Sequence, residues 1–165
     1  MTVTAGEALA VLAVLRSAGA EVWVGGGWGI DALLGRETRA HRDLDLMHRA
    51  EQEPVVLAVL AAAGFAETVD WRPVRFVLGH PDGRELDLHP LAFAPDGSAE
   101  QSSLEPGKPF RYPARCFVTG TIGGTVVPCL SAEQQAYFHQ GYEPTDRDRQ
   151  DMARLREAFG IATHF

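Results

Sequence analysis

Two aspartates, Asp43 and Asp45, stand one residue apart in the run Asp43-Leu44-Asp45-Leu46. Successive side chains of a β-strand point to opposite faces, so both carboxylates would project from one face with the leucines buried behind them. Like charges at such positions repel, and an ordinary sheet gains nothing from the pairing. Oxygen ligands at this spacing can instead share a Mg²⁺ ion. The pair therefore indicates either a metal site or an edge strand with a solvated acidic face.

A second acidic strand favours the metal site. In Glu85-Leu86-Asp87-Leu88-His89 the polar side chains share one face and the leucines the other. If this strand lies beside the first, Asp87 completes a cluster of three carboxylates. Such a cluster suits two metal ions ~3.5–4 Å apart, the arrangement used for in-line phosphoryl or nucleotidyl transfer. His89 ends the strand on the Asp87 face, so we expect it in or next to the site.

A glycine run precedes the acidic pair. Gly25-Gly26-Gly27 follows a short apolar strand and opens a helix. Glycines in that position let backbone N–H groups approach phosphate oxygens, and the helix N-terminus adds a positive dipole. Gly26 and Gly27 are therefore candidates for holding nucleotide phosphates, although a glycine run alone is more often a tight turn. The pattern is neither a Walker A sequence nor a dinucleotide-binding fingerprint.

Polar residues between the glycines and the aspartates admit two interpretations each. Asp31 either orients the glycine turn or the loop that follows, or it is a solvated helix residue. Arg39, His41 and Arg42 either offset the charge of a triphosphate or neutralise the aspartates in the metal-free protein.

The order of elements predicts a mixed α/β domain with a helical C-terminal end. We predict helices over residues 7–18, 28–34, 54–63, from 131 onward and 146–159. Strands are predicted over 21–24, 43–48, 74–78 and 84–89, a loop over 90–113 and a hairpin over 115–130. One domain would span residues 1–165, with a catalytic core at 1–90, the loop and hairpin at 91–130 and the C-terminal helices at 131–165.

Composition narrows the function classes. The chain has 165 residues and a net charge of −7, which argues against a broad nucleic-acid-binding surface. It has no apolar run of about 20 residues that could cross a membrane, and its N-terminus lacks the basic start of a signal peptide. Cys116 and Cys129 lack metal-ligand spacing, so we expect two reduced thiols and a cytoplasmic protein.

The glycine and aspartate motifs together resemble a known family. Gly26-Gly27-Trp28, followed by the segment Thr38-Arg39-Ala40-His41-Arg42-Asp43-Leu44-Asp45, resembles the antibiotic nucleotidyltransferases of the DNA polymerase β superfamily. This part looks like both the small lincosamide nucleotidyltransferases and the aminoglycoside 2''-adenylyltransferases. The later run Leu86-Asp87-Leu88-His89-Pro90 and residues 146–151 are similar to the lincosamide branch.

The resemblance implies an α+β fold of the polymerase β type, a mixed sheet with flanking helices. It implies that Asp43 and Asp45 bind Mg²⁺, with two ions expected. Asp87 would be the third carboxylate, as a metal ligand, as the general base, or as both. Gly26 and Gly27 would hold the phosphates of ATP or another nucleoside triphosphate. A homodimer is also compatible with it.

The implied reaction is transfer of a nucleoside monophosphate, AMP from ATP in the first instance, to a hydroxyl of a lincosamide antibiotic. One alternative is an aminoglycoside acceptor. Another is a non-catalytic nucleotide-binding module, which would be expected to lose at least one of the three carboxylates. Tyr137 and His139 lie at a helix end and would either reach substrate or cap and pack the helix.

Overall fold

The computed structural model describes residues 2–165, so Met1, the first residue of the predicted domain, lies outside them. The helices are α1 (Ala5–Ser17), α2 (Gly26–Leu34), α3 (Glu53–Ala62), α4 (Ala132–Phe138) and α5 (Asp146–Phe159). The strands are β1 (Val22–Gly25), β2 (Asp43–Arg49), β3 (Ala66–Trp71), β4 (Arg75–Gly79), β5 (Glu85–Phe93), β6 (Ala99–Gln101), β7 (Phe110–Tyr112), β8 (Phe117–Ile122) and β9 (Thr125–Leu130). Two short 3₁₀ helices cover Ala50–Gln52 and Ala114–Cys116.

The strands form one mixed sheet in the order β3-β4-β5-β2-β1-β9-β8, and β6 and β7 extend it from the end of β5. β2 and β5 are parallel, as are β1 and β9, while the other neighbours are antiparallel. β1 and β2 run antiparallel, so the end of β1 lies beside the start of β2. This topology places both acidic strands and the glycine turn side by side in the middle of the sheet.

The two faces of the sheet have different tasks. Leu44, Leu46, Leu86 and Leu88 are fully buried or nearly so, in a core that also contains residues of α1 and α3. Burial of each such side chain contributes roughly 1.5–3 kcal/mol. The polar residues of β2 and β5 alternate onto the opposite face, which the β6–β7 hairpin and α4 partly cover. The apolar face thus fixes the strands that carry the acidic groups.

Helix α2 approaches β8 at Gly120. A β-carbon at Gly120 would overlap the carbonyl oxygen of Ala32 and lie 2.6 Å from its carbonyl carbon. Only a residue without a side chain allows the helix backbone to lie this close to the strand. The approach matters for the site because α2 begins at the glycine turn.

The mixed α+β fold with a helical C-terminal end is confirmed, and the structure differs from the predicted elements in two places. No strand was predicted at β3. Its side chains are mostly exposed, so its sequence lacks the apolar alternation that marks a strand. The loop predicted for residues 90–113 is wrong in part, because β5 continues to Phe93 and the segment also contains β6 and β7. Proline cannot donate a hydrogen bond to a neighbouring strand. Pro90 lies beyond Leu88, the last residue of β5 that pairs with β4.

Both cysteines are buried, and burial raises the pKa of Cys116 to about 12 and that of Cys129 to about 11. Such thiols stay protonated and unreactive at neutral pH. Among residues 2–165, the helices include none that is both long and apolar enough to cross a membrane.

Replacing Gly120 with alanine tests the close approach of α2. We expect Gly120→Ala to lower the free energy of unfolding by about 1–3 kcal/mol, the range found for overpacked sites. Gly6 in α1 is the matched control, since a β-carbon there meets nothing within 4 Å. Gly6→Ala should raise stability by roughly 0.5–1 kcal/mol through the lower entropy of the unfolded chain. Urea denaturation measures both; a Gly120→Ala protein as stable as wild type would contradict this packing.

Candidate active site

The parallel pairing of β2 with β5 sets the acidic residues side by side. Asp45 pairs with Asp87, and Asp43 pairs with Glu85 two residues earlier. Asp45, Asp87 and His89 each offer one ligand atom, and these three atoms lie within 4.8 Å of one another. Asp43 belongs to the same face but stands at the start of its strand. The structure therefore places the three predicted carboxylates on one face of two neighbouring strands, with His89 beside Asp45 and Asp87.

Crowding of these carboxylates shows in their proton affinities. Burial, followed by the charges of Asp45, Asp87 and Glu85, raises the pKa of Asp43 to about 6. Burial also raises the pKa of Asp87, against the opposing effects of His89 and Arg75. Each shift means that the folded protein holds negative charge at a cost. Bound cations would remove that cost.

The donor set fits a divalent cation. Oδ2 of Asp87 accepts a hydrogen bond from Arg75 at 2.6 Å. Its other oxygen, Oδ1, is buried and has no hydrogen-bond partner among the described residues. A buried carboxylate oxygen without a donor is costly unless something else satisfies it. Hard cations such as Mg²⁺ take oxygen ligands of this kind.

The glycine turn lies directly against the acidic pair. Gly25 pairs with Asp45 across β1 and β2, and Gly26 is the first residue of α2. Gly26 has φ +55°, and a β-carbon there would overlap Oδ2 of Asp45. Both the left-handed backbone and the contact require glycine. The free N–H groups at the start of α2 therefore lie next to the candidate metal ligands.

Asp31 is buried, with 2% of its surface exposed, and it organises the loop before β2. It accepts hydrogen bonds from the backbone N–H of Thr38 at 2.9 Å and from the Thr38 hydroxyl at 2.6 Å. His41 Nε2 lies 2.6 Å from Oδ2 of Asp31, the oxygen that also accepts the backbone N–H of Thr38. Burial would raise the pKa of Asp31, but the hydrogen bonds from His41 and Thr38 outweigh it and lower the pKa. The solvated interpretation of Asp31 is therefore wrong.

His41 and Arg39 both reach the glycine turn. A β-carbon at Gly27 would lie 2.5 Å from Nδ1 of His41 and 2.7 Å from an Nη atom of Arg39. Asp31 binds Nε2 of His41, and Asp151 of α5 binds Arg39 through a contact of 2.9 Å. Both side chains thus lie against the glycine turn at Gly27. Arg42 is exposed, and the structure assigns it to neither role.

A cavity of about 590 Å³ opens beside Asp45 and His89. One wall is apolar and is formed mainly by Met47, Phe110, Tyr112, Leu130 and Phe138. Its polar lining includes Gln101, Gln135 and His139, and the tip of the β6–β7 hairpin adds Ser103, Leu104, Glu105 and Lys108. Leu104 is 90% exposed at the mouth of the cavity. A concave, mostly apolar space with a few polar groups is typical of a small-molecule site.

The remaining predicted residues divide between site and framework. His139 lines the cavity, whereas Tyr137 does not and packs against Phe138. Arg75 and Gln101 were missed by sequence reasoning. Arg75 opens a strand next to the acidic one, which was a usable signal, while Gln101 lay in a segment predicted as loop. Gln101 is brought to His89 only by the pairing of β6 with β5.

Replacing Asp43 with asparagine tests the cost of the crowded carboxylates. Because the pKa of Asp43 rises from 3.8 to about 6 on folding, the native state binds more protons and stability falls as pH rises between these values. In metal-free buffer Asp43→Asn should match wild type near pH 4 and exceed its melting temperature above pH 6. The control Asp96→Asn, at an exposed turn, should show no such gain. A less stable Asp43→Asn protein at pH 7.5 would refute this account.

Comparison with known proteins agrees with this arrangement. The family model described as Aminoglycoside-2''-adenylyltransferase matches residues 7–155. The chain is 33% identical over 154 residues to a lincosamide resistance protein of Staphylococcus haemolyticus, covering 93% of this chain and 95% of that protein. It is also 32% identical over 114 residues to a 2''-aminoglycoside nucleotidyltransferase of Escherichia coli, covering 61% and 62% of the two chains.

Solved structures give the same relationship. A crystal structure of the lincosamide antibiotic adenylyltransferase LnuA with lincomycin bound has a TM-score of 0.85 and 33% identity, covering 94% of this chain and 98% of that one. The crystal structure of ANT(2'')-Ia with adenylyl-2''-tobramycin has a TM-score of 0.71 and 25% identity, covering 91% and 86%. With the family model spanning most of the sequence, this chain belongs to the aminoglycoside-2''-adenylyltransferase family of nucleotidyltransferases.

Proposed function

We propose that this protein transfers a nucleoside monophosphate, AMP from ATP, to a hydroxyl of a lincosamide antibiotic and depends on Mg²⁺. The observation that carries the proposal is the contact of the Gly26 turn with Asp45, next to Asp87. A phosphate-binding helix start and a set of metal ligands in contact are the two parts that nucleotidyl transfer requires. The relationship to antibiotic nucleotidyltransferases supports the choice of reaction.

The nucleotide side of the site consists of α2 and the side chains behind it. The N–H groups of Gly26 and Gly27 donate hydrogen bonds to triphosphate oxygens. The helix dipole and the guanidinium of Arg39 add positive charge on the same side. His41 presents Nδ1 to this space because Asp31 binds its other ring nitrogen. These groups hold the pyrophosphate as it leaves.

Asp43, Asp45 and Asp87 would hold Mg²⁺. When bound, the ions neutralise the triphosphate and lower the pKa of the attacking hydroxyl. Asp87 receives the proton of that hydroxyl. Arg75, which contacts Asp87 at 2.6 Å, orients the carboxylate while Oδ1 remains available.

The cavity favours a lincosamide over an aminoglycoside. A lincosamide joins a hydroxylated sugar to an apolar alkylated ring and carries one amine, whereas an aminoglycoside is a polycation. The aromatic wall around Phe110 and Phe138 suits the apolar part. Among the described residues that line the cavity, Glu105 is the carboxylate besides Asp45, and it is already paired with Lys108. A polycation would therefore find few free negative partners.

An aminoglycoside acceptor is the second candidate. It is supported by the family model that matches residues 7–155 and by the likeness to the tobramycin-bound structure. The three retained carboxylates argue against a binding module without activity.

A pyrophosphate-release assay with ATP and Mg²⁺ separates these candidates. We expect release with lincomycin and clindamycin, and background release with kanamycin, gentamicin or no drug. Asp45→Asn should reduce turnover by roughly 10²-fold to 10³-fold, the cost of removing one group that stabilises the transition state. Activity with kanamycin or gentamicin alone would select the aminoglycoside function. Silence with all four drugs would refute the antibiotic proposal.

Replacing Gly26 with alanine tests the contact between the glycine turn and Asp45. The added methyl group must displace either the turn or the carboxylate, so turnover should fall about 100-fold, as expected for a misplacement near 1 Å. Gly124 in the β8–β9 turn is the matched control, because it has φ +79° but open space around it. Gly124→Ala should therefore carry a similar backbone strain yet keep full activity. Equal activities of the two variants would contradict the proposed role of the turn.

A further inference from the structure

Gln101, at the end of β6, connects the acidic site to the cavity wall. Its side chain is buried, with 4% of the residue exposed, and it has three polar neighbours. The amide nitrogen lies 2.9 Å from the carbonyl oxygen of Val74 and 3.2 Å from Nδ1 of His89. The amide oxygen lies 2.6 Å from the hydroxyl of Tyr112, which is itself 1% exposed.

These neighbours determine which way the amide of Gln101 points. The carbonyl of Val74 can only accept a hydrogen bond, so the atom facing it must be the NH₂ group. The reversed amide would set two oxygens 2.9 Å apart and turn the NH₂ group toward the Tyr112 hydroxyl. Burial raises the pKa of Tyr112 well above its usual value, so that hydroxyl keeps its proton and donates it to the amide oxygen.

The orientation of the amide determines the tautomer of His89. One N–H of Gln101 is used by Val74, and the other points at Nδ1 of His89. Nδ1 must therefore offer a lone pair, which leaves the ring proton on Nε2. Nε2 lies 3.3 Å from Oδ1 of Asp45 and 3.6 Å from Oδ1 of Asp87. The imidazole accordingly donates its proton to Asp45 and leaves Oδ1 of Asp87 without a donor.

We propose that Gln101 is a positioning residue that holds His89 in the Nε2–H tautomer and so keeps its imidazole out of the metal's ligand set. This proposal deepens the proposed function, because it assumes the same metal site. A histidine that ligates a metal usually donates its other ring N–H to a carboxylate or carbonyl. Here the other ring nitrogen faces a donor, which is the opposite arrangement.

The consequence concerns metal selectivity. With Nε2 protonated, the site offers a cation only the oxygen atoms of Asp45 and Asp87, and oxygen ligands suit Mg²⁺. An imidazole with a free Nε2 beside the same carboxylates would form a mixed nitrogen and oxygen site, which suits Zn²⁺. Gln101 thus favours Mg²⁺ over Zn²⁺ at this site.

The tautomer can be read directly by ¹⁵N NMR of the histidine rings in metal-free protein. The His89 signals are assigned by their loss in His89→Gln. Wild type should show a protonated Nε2 and an unprotonated Nδ1. Gln101→Met, which keeps the length but lacks the donor, should gain the Nδ1–H form, and Gln101→Glu should gain more of it. A wild-type ring protonated on Nδ1 would overturn the proposal.

Metal affinity supplies the second measurement. The ratio of Zn²⁺ to Mg²⁺ affinity, measured by calorimetric titration with each ion alone, should rise about 10-fold in Gln101→Met, in line with the effect of outer-shell partners. Gln134→Met is the matched control, since Gln134 is equally buried but bonds to the Arg111 carbonyl. Its ratio should equal that of wild type, and an unchanged ratio in Gln101→Met would reject the inference. Neither measurement needs nucleotide or drug, so its result is independent of the transfer assay.

Discussion

Repulsion among Asp43, Asp45 and Asp87 is the constraint that the rest of the structure has to accommodate. The fold places three carboxylates on one face of two parallel strands, and burial together with mutual repulsion raises the pKa of Asp43 to about 6. Such an arrangement persists only because the leucines on the other face of the same strands stabilise the sheet. The groups around the carboxylates, Arg75 and His89, reduce the repulsion without abolishing it.

The sheet topology fixes where the three carboxylates lie relative to the glycine turn. The parallel pair β2–β5 fixes the register of the carboxylates, and the antiparallel pair β1–β2 returns the chain to the same place with a helix start. Because α2 also packs closely on β8 through Gly120, the glycine turn is held from two directions. The glycine turn and the acidic strands therefore belong to one packed unit and not to separate loops.

Much of the fold and of the site could be predicted because its signals are local. Alternation in β2 and β5 identifies the faces of Asp45 and Asp87, and the glycine run marks the start of a helix. The missed parts depend on long-range contacts. β3 lacks apolar alternation, and Gln101 becomes part of the site only when a short hairpin pairs with the end of β5. The burial of Asp31 was equally invisible, because Thr38 and His41 satisfy it from a loop.

The β6–β7 hairpin has a consequence for how this scaffold can diversify. Its two strands, which form its base, carry the buried residues Gln101 and Tyr112, and Gln101 bonds to His89 of β5. Its tip around Leu104 is instead exposed at the cavity mouth. Substitutions at the tip would reshape what enters the cavity without reaching the carboxylates. Substitutions at the base would disturb both at once. Drift in acceptor preference among descendants of this chain should therefore accumulate at residues 103–108 while the base of the hairpin stays fixed.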